Sequence, residues 1–187
     1  MARKTDRNAR ILDAALTLAA ERGWNAVSMS DIAAAAEVAP AQLYAAYPTK
    51  TAILSALIAR TDEAVLRDGS GGSEGDSRRD RLFDLLMRRL EVLAPHKEGI
   101  RAMLADVPRD PVSTLAAAPP LLRAMTWMLD AAGVPADGLS GLLRAQVLAG
   151  VYLATLRTWS RDDSPDMART MAALDRNLRR AGRLLGI

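Results

Sequence analysis

Cysteine is absent from the 187 residues, which excludes disulfides and thiolate metal sites. Histidine occurs once, as His96, in a loop after Pro95 with no second ligand or nucleophile in reach along the sequence. It reads as a solvated residue rather than a catalytic base. The adjacent carboxylates Asp162 and Asp163 read as a loop ahead of a helix start. No catalytic residue, metal site or cofactor is therefore expected, and the chain does not read as an enzyme. No uninterrupted apolar run of 18 residues occurs, and the opening MARKTDRNAR leads into an amphipathic helix rather than a signal segment. A cytoplasmic protein with no membrane partner is the expectation. Charge of one sign is in small excess: the net is +3, which is compatible with nucleic acid without arguing for it. What the chain has in quantity is apolar residues, half of the total, enough for a sizeable core in one domain or two small ones.

The most informative stretch runs from Ser28 to Leu54, SMSDIAAAAEVAPAQLYAAYPTKTAIL. Ser28 is placed to cap a helix with Asp31 three residues on, a variant of the capping box with an acid near the positive end of the dipole. Ile32, Ala35 and Ala36 give that helix one apolar face. Val38 packs into the angle that follows, and Pro40 suits the first position of a second helix because the N–H it lacks has no partner there. Leu43 and Tyr47 form the inner face of this second helix, which leaves Pro40, Ala41, Gln42, Tyr44 and Ala45 directed outward. Two short helices, a tight turn and a third helix from Lys50 make a helix-turn-helix DNA reader. Ahead of it, a helix over about residues 6–22 places Ile11, Leu12, Ala15, Leu18 and Ala19 inward. Gly23 stops that helix and Trp24 plugs the small core. Residues 1–10 carry Arg3, Lys4, Arg7 and Arg10 against Asp6, a basic arm able to lie along phosphates or solvate a terminus.

With those residues in register, the segment Arg10–Leu57 resembles the TetR family of bacterial repressors. The resemblance rests on RILDAALTLAAERGW, Ser28, Asp31-Ile32-Ala33, Val38, Leu43-Tyr44, Tyr47 and Thr49-Lys50. It departs from the family pattern at three places. Glu37 stands at the turn glycine and would have to take a left-handed conformation at a cost of about 1 to 2 kcal/mol. Ala39 stands at the cap of the recognition helix, where loss of a capping side chain costs about 1 kcal/mol. Ala46 stands where a phosphate-contacting histidine is frequent.

The rest reads as helical. A long helix from Lys50 to about Arg67 carries Ile53, Leu54, Leu57, Ile58, Thr61 and Val65 in one stripe, followed by a flexible Gly/Ser connection, DGSGGSEGDS, at 68–77. Arg78–Ala94 lines up Leu82, Leu85, Leu86, Arg89 and Leu93. Further helices are expected at about 97–106, from Pro119 to Ala132, and from Leu139 to Arg161. The last of these is apolar on almost every side, so one side faces its own core and another needs a partner. Gly150 within it suggests close approach of another helix. Ser164-Pro165-Asp166 is expected to start the final helix, with Ser164 as N-cap. Met167, Met171, Leu174, Leu178, Ala181 and Leu185 follow at alternating spacings of four and three, a seam suited to a homodimer.

The fold expected is all-α with about nine helices. Residues 1–50 form a three-helix DNA-binding domain and residues 51–187 a helical effector-binding and dimerisation domain. The resemblance implies a homodimer joined through its last two helices in a four-helix bundle, with Leu148, Tyr152, Trp159, Met167, Met171, Leu174, Leu178 and Leu185 in the interface. Such a dimer would bind palindromic double-stranded DNA as a repressor. Gln42 would read adenine and Ala41 a thymine methyl, on a helix opened by Ala39 and Pro40. Ser28, Tyr44 and Lys50 would hold phosphates. An apolar or amphipathic effector would release the DNA. Candidates to line its pocket are Met87, Met103 and Leu104, then Leu122, Met125, Trp127 and Met128, and finally Val147 and Val151, where methionine adapts to varied shapes. The run from Val151 to Leu178 resembles a second group with the same fold, the ubiquinone-biosynthesis proteins that bind lipid. That resemblance implies the alternative of a lipid- or isoprenoid-binding protein without DNA binding.

Overall fold

The structure, a computed structural model, describes residues 2–67, 75–109 and 115–187. Among them the regular structure is helical: α1 Ala2–Arg22, α2 Met29–Ala35, α3 Pro40–Ala46, α4 Lys50–Arg67, α5 Arg78–Leu93, α6 Lys97–Asp106, α7 Ala118–Ala131, α8 Gly138–Trp159 and α9 Ala168–Leu185. Short 3-10 turns follow α5 and α6. The helices gather into two compact units, residues 1–58 with 95–118, and residues 59–94 with 119–187. Along the chain the units divide within α4, after Ile58, and α6 belongs to the amino-terminal unit.

The first unit is built on α1. Ile11, Ala15, Leu18 and Ala19 are buried together with Trp24, Val27, Ile32, Leu43 and Ile53 in one cluster. Gly23 ends α1 in the left-handed region, φ +81°, and donates its N–H to the Ala19 carbonyl at 2.9 Å. The helix begins earlier than expected, at Ala2, so the basic arm is helical along its backbone. Nothing between Ala2 and Arg10 breaks a helix, and Ala, Arg and Lys are among the best helix formers. α6 lies along α1, with Met103 in the same core. A Cβ on Gly99 would stand 2.4 Å from the carbonyl oxygen of Leu16, so only glycine permits this approach. The Asp106 carboxylate accepts the Asn25 N–H at 2.9 Å.

The second unit packs α5, α7, α8 and α9 with the latter half of α4. Leu82, Leu85, Leu86 and Leu90 of α5, Met125 and Met128 of α7, and Leu148, Tyr152, Leu156 and Trp159 of α8 are buried. Ser77 caps α5, its hydroxyl accepting the Asp80 N–H at 3.2 Å. Of the connection expected to be flexible at 68–77, residues 68–74 lie outside the described residues. Gly133, φ +76°, closes α7 as expected. α8 has the length and mean hydropathy of a membrane-crossing helix, but its buried side belongs to this unit's core.

The start of α9 differs from the expectation. Ser164 is not its N-cap; the cap position is Met167, in the left-handed region at φ +51° and without a side-chain cap of its own. The capping acceptor comes from Asp162, 2% exposed. Its Oδ2 accepts the Thr170 N–H at 2.8 Å and the Thr170 hydroxyl at 2.6 Å. The Ser164 hydroxyl donates to the other oxygen, so it is spent on Asp162 rather than on the helix. Burial alone would raise the Asp162 pKa, but these hydrogen bonds outweigh it and hold the carboxyl below the usual carboxylate range.

Candidate nucleic-acid interface

The two short helices are held at a fixed angle by local bonds. Ser28 opens α2 with a complete capping box: its hydroxyl oxygen accepts the Asp31 N–H at 3.1 Å, and Asp31 Oδ2 accepts the Ser28 N–H at 2.8 Å. The Ser28 hydroxyl also donates to Asp31 Oδ2 at 2.6 Å, and that bond first, then the Ser28 N–H and the charge of Arg22, lower the Asp31 pKa. At the other end of α2, Glu37 is left-handed, φ +53°. Its N–H reaches the Ala34 carbonyl and the Val38 N–H the Ala33 carbonyl at 3.0 Å, the double bond of a Schellman turn. Glycine would fit that turn without strain; glutamate stands there because both bonds and the burial of Val38 hold it. Ala39 enters α3 in an extended conformation with no side-chain cap, and Pro40 takes the first turn.

α3 then presents one face inward and one outward. Leu43 is buried in the core, while Pro40, Ala41, Gln42 and Ala45 are exposed and Tyr44 is 70% exposed. Ser28 is exposed at the start of α2. A helix of this kind offers one amide side chain, one phenol and small apolar groups to whatever it meets, a set suited to base edges and phosphates in a major groove. Lys50 is placed differently. Its ammonium donates to the carbonyls of Trp24 and Val27, the latter at 2.8 Å, and lies 4.4 Å from the centre of the Trp24 ring. It ties the start of α4 to the α1–α2 connection. The clue in the sequence was the Trp24–Val27 segment, whose turn carbonyls need donors.

The residues expected to line an effector pocket are divided. Met103 and Leu104 are on α6 in the first unit, with Met103 in its core. In the second unit Met87, Met125, Met128 and Val151 are buried, Leu122 and Val147 half-buried, and Trp127 is 54% exposed. Trp127, expected to face inward, is exposed where Met125 and Met128 are buried. The described surface has an open cleft of about 340 Å³ bounded by Arg79, Asp80, Phe83, Met171, Ala172 and Asp175.

The residues expected in a dimer seam differ in exposure. Leu148, Tyr152, Trp159, Leu174, Leu178 and Leu185 are buried within this unit's own core, while Met167 and Met171 remain partly exposed. The open apolar face belongs to α8 instead: Leu139, Leu142, Leu143 and Leu153 are exposed, Leu139 to 75%. A Cβ on Gly150 would meet nothing within 4 Å, so that glycine faces open space on the same side. Sequence spacing could not decide which of two apolar stripes on α8 was core.

Sequence reasoning treated Arg89 as one member of a leucine stripe and missed its charge. It is 1% exposed, ion-paired with Asp62 of α4, and its guanidinium carbon lies 5.1 Å from the centre of the Tyr152 ring.

Residues 11–57 match the model of bacterial regulatory proteins, tetR family, and residues 142–184 match the model COQ9. Over 60 residues the chain is 42% identical to the HTH-type transcriptional repressor KstR of Rhodococcus jostii (strain RHA1), an alignment spanning 32% of this chain and 28% of that protein. A TetR transcriptional regulator from Nitrosomonas europaea ATCC 19718 superposes with a TM-score of 0.73 at 26% identity, covering 94% of this chain and 98% of the other. Thermus thermophilus FadR, a TetR-family repressor solved in complex with lauroyl-CoA, superposes with a TM-score of 0.58 at 26% identity over 92% and 91% of the two chains.

Proposed function

We propose that the chain is a tetR-family regulator, on the match of residues 11–57 to that family's model and the likeness of its fold to a solved member, and that it represses transcription as a cytoplasmic homodimer on palindromic DNA and is released by a small amphipathic effector. The observation that carries the reading is α3: Gln42 and Tyr44 exposed on one face, Leu43 buried on the other, directly after a turn fixed by two hydrogen bonds. Gln42 pairs with adenine N6 and N7, Ala41 meets a thymine methyl, and Tyr44 with Ser28 holds phosphates. Lys50 acts one step back, by holding the start of α4 against Trp24.

One such reader spans too few base pairs for selectivity, and two related by a twofold about 34 Å apart match a palindrome. The exposed leucines of α8 support the pairing, since an apolar stripe on a helix of this length is an interface in want of a partner. The lauroyl-CoA of the Thermus neighbour supports an effector with an apolar chain.

The COQ9 match over α8 and α9 favours the second reading, a lipid-binding protein of this fold that does not bind DNA. Strained Glu37, uncapped Ala39 and inward Lys50 are consistent with it. Selection of bound duplexes from a random library at near-physiological salt separates the two. A palindromic motif, bound with a steep loss of affinity as salt rises, supports the repressor; a folded dimer that enriches no motif refutes it.

A further inference from the structure

The least expected charge in the second unit is Arg89. A buried guanidinium carries a desolvation penalty of several kcal/mol that an ion pair offsets only when its geometry is complete. Here it is incomplete. Asp62 pairs with one terminal nitrogen, Tyr152 offers its ring and phenol, and the buried Nε has no hydrogen-bond partner. Asp62 itself keeps some exposure and is destabilised as an anion by its burial, an effect that Arg89, and beyond it Arg123 of α7, oppose. Helices α5 and α7 therefore bring two arginines to a single carboxylate on α4, and α8 lays the Tyr152 ring against the buried Arg89. As a device for stability this is poor, since a hydrophobic residue of similar volume serves as well or better.

We propose that the space held by the Asp62 carboxylate is an anion site, and that an effector bearing a carboxylate on an apolar chain displaces Asp62 from Arg89. The idea rests on the effector reading above and narrows it to anionic amphiphiles. Asp62 is the internal competitor: it keeps Arg89 neutralised when no effector is present and gives way to a ligand that supplies both the anion and the apolar contacts. Its position on α4 gives the exchange a consequence, because the same helix contributes Ile53 and Leu57 to the core of the DNA reader. A carboxylate that frees Asp62 alters what holds the latter half of that helix.

The test is calorimetric titration of the full chain with decanoate, 1-decanol and decyltrimethylammonium. Decanoate is expected to bind at least about tenfold more tightly than the other two, the scale of a charge-assisted hydrogen bond. Asp62→Asn removes the competing charge and should tighten decanoate binding while leaving decanol unchanged. Arg89→Met should abolish the preference for decanoate. If circular dichroism shows that Arg89→Met does not fold, Arg123→Met is measured in its place and is expected to weaken decanoate alone. An ion pair serving structure only would give an Asp62→Asn protein with equal or weaker decanoate binding, and that result overturns the proposal. Equal binding of decanoate and decanol also overturns it while leaving the effector reading intact. Binding of neither removes both.

Discussion

Replacing Asp162 with alanine deletes the acceptor on which the start of α9 depends. The carboxylate receives the N–H and hydroxyl of Thr170 at 2.8 and 2.6 Å and two bonds from Ser164, inside a site where water does not replace it. Hydrogen bonds to a charged group are worth about 1.5 to 3 kcal/mol each but do not add, and loss of a helix cap costs about 1 kcal/mol. A total near 3 kcal/mol is expected, since the Thr170 N–H is left buried and unpaired. For a chain of this size that lowers the midpoint of its unfolding transition by roughly 6 to 12 °C. Thr170→Ala removes only the hydroxyl and should cost about 1 kcal/mol. Thermal unfolding followed by circular dichroism, together with tryptophan emission, reads both, because Trp159 accepts the Asp162 N–H through its own carbonyl. The acid side supplies an independent check. The folded pKa of Asp162 is depressed, so its contribution is fully present above the ordinary carboxylate value of about 4 and fades as pH falls below it. The wild type should therefore lose stability on acidification more steeply than Asp162→Ala. An alanine variant within about 0.5 kcal/mol of wild type, the range of an uninvolved surface residue, would refute the reasoning.

Four other substitutions probe the reader and the open face. Glu37→Gly relieves a left-handed residue and should raise the stability of the first unit by about 1 kcal/mol in chemical denaturation. Lys50→Met should lower that stability by about 1 to 2 kcal/mol through the freed carbonyls of Trp24 and Val27. It should also leave the salt slope of DNA binding unchanged, whereas a lost phosphate contact reduces the slope by about 0.9. Gly99→Ala drives a methyl into the Leu16 carbonyl and should cost at least about 2 kcal/mol, read by urea unfolding. Leu153→Lys changes an exposed residue, so the helical spectrum should persist while light scattering reports monomer in place of dimer.

Much of the reader was legible because its rules are local. Ser28 with Asp31, Pro40 at a first turn and the Leu43–Tyr47 spacing act within a few residues, and the strain at Glu37 followed from a single backbone requirement. Lys50 was not legible in this way: its length lets it turn inward to carbonyls more than 20 residues earlier, and a motif match cannot say which way a lysine points. α8 shows the same limit for apolar residues. When a helix is hydrophobic all round, periodicity names two candidate faces, and only the placement of α9 decides that Leu148 and Tyr152 are core while Leu142 and Leu153 are open. Ser164-Pro165 looked like a helix start because the competing acceptor, Asp162, acts across eight residues of chain rather than three.

The close passage of Gly99 over Leu16 makes the amino-terminal unit discontinuous in the chain. Its core takes Met103 from a helix that leaves the ribosome well after α4, so residues 11–57 on their own lack part of their packing. Until α6 emerges, the side of α1 that meets Gly99 and Met103 is uncovered, and the reader closes by a contact spanning more than eighty residues. Such long loop closures slow folding. A fragment cut after α4 should accordingly be less stable than the whole chain, even though every residue of the DNA-reading motif is present in it.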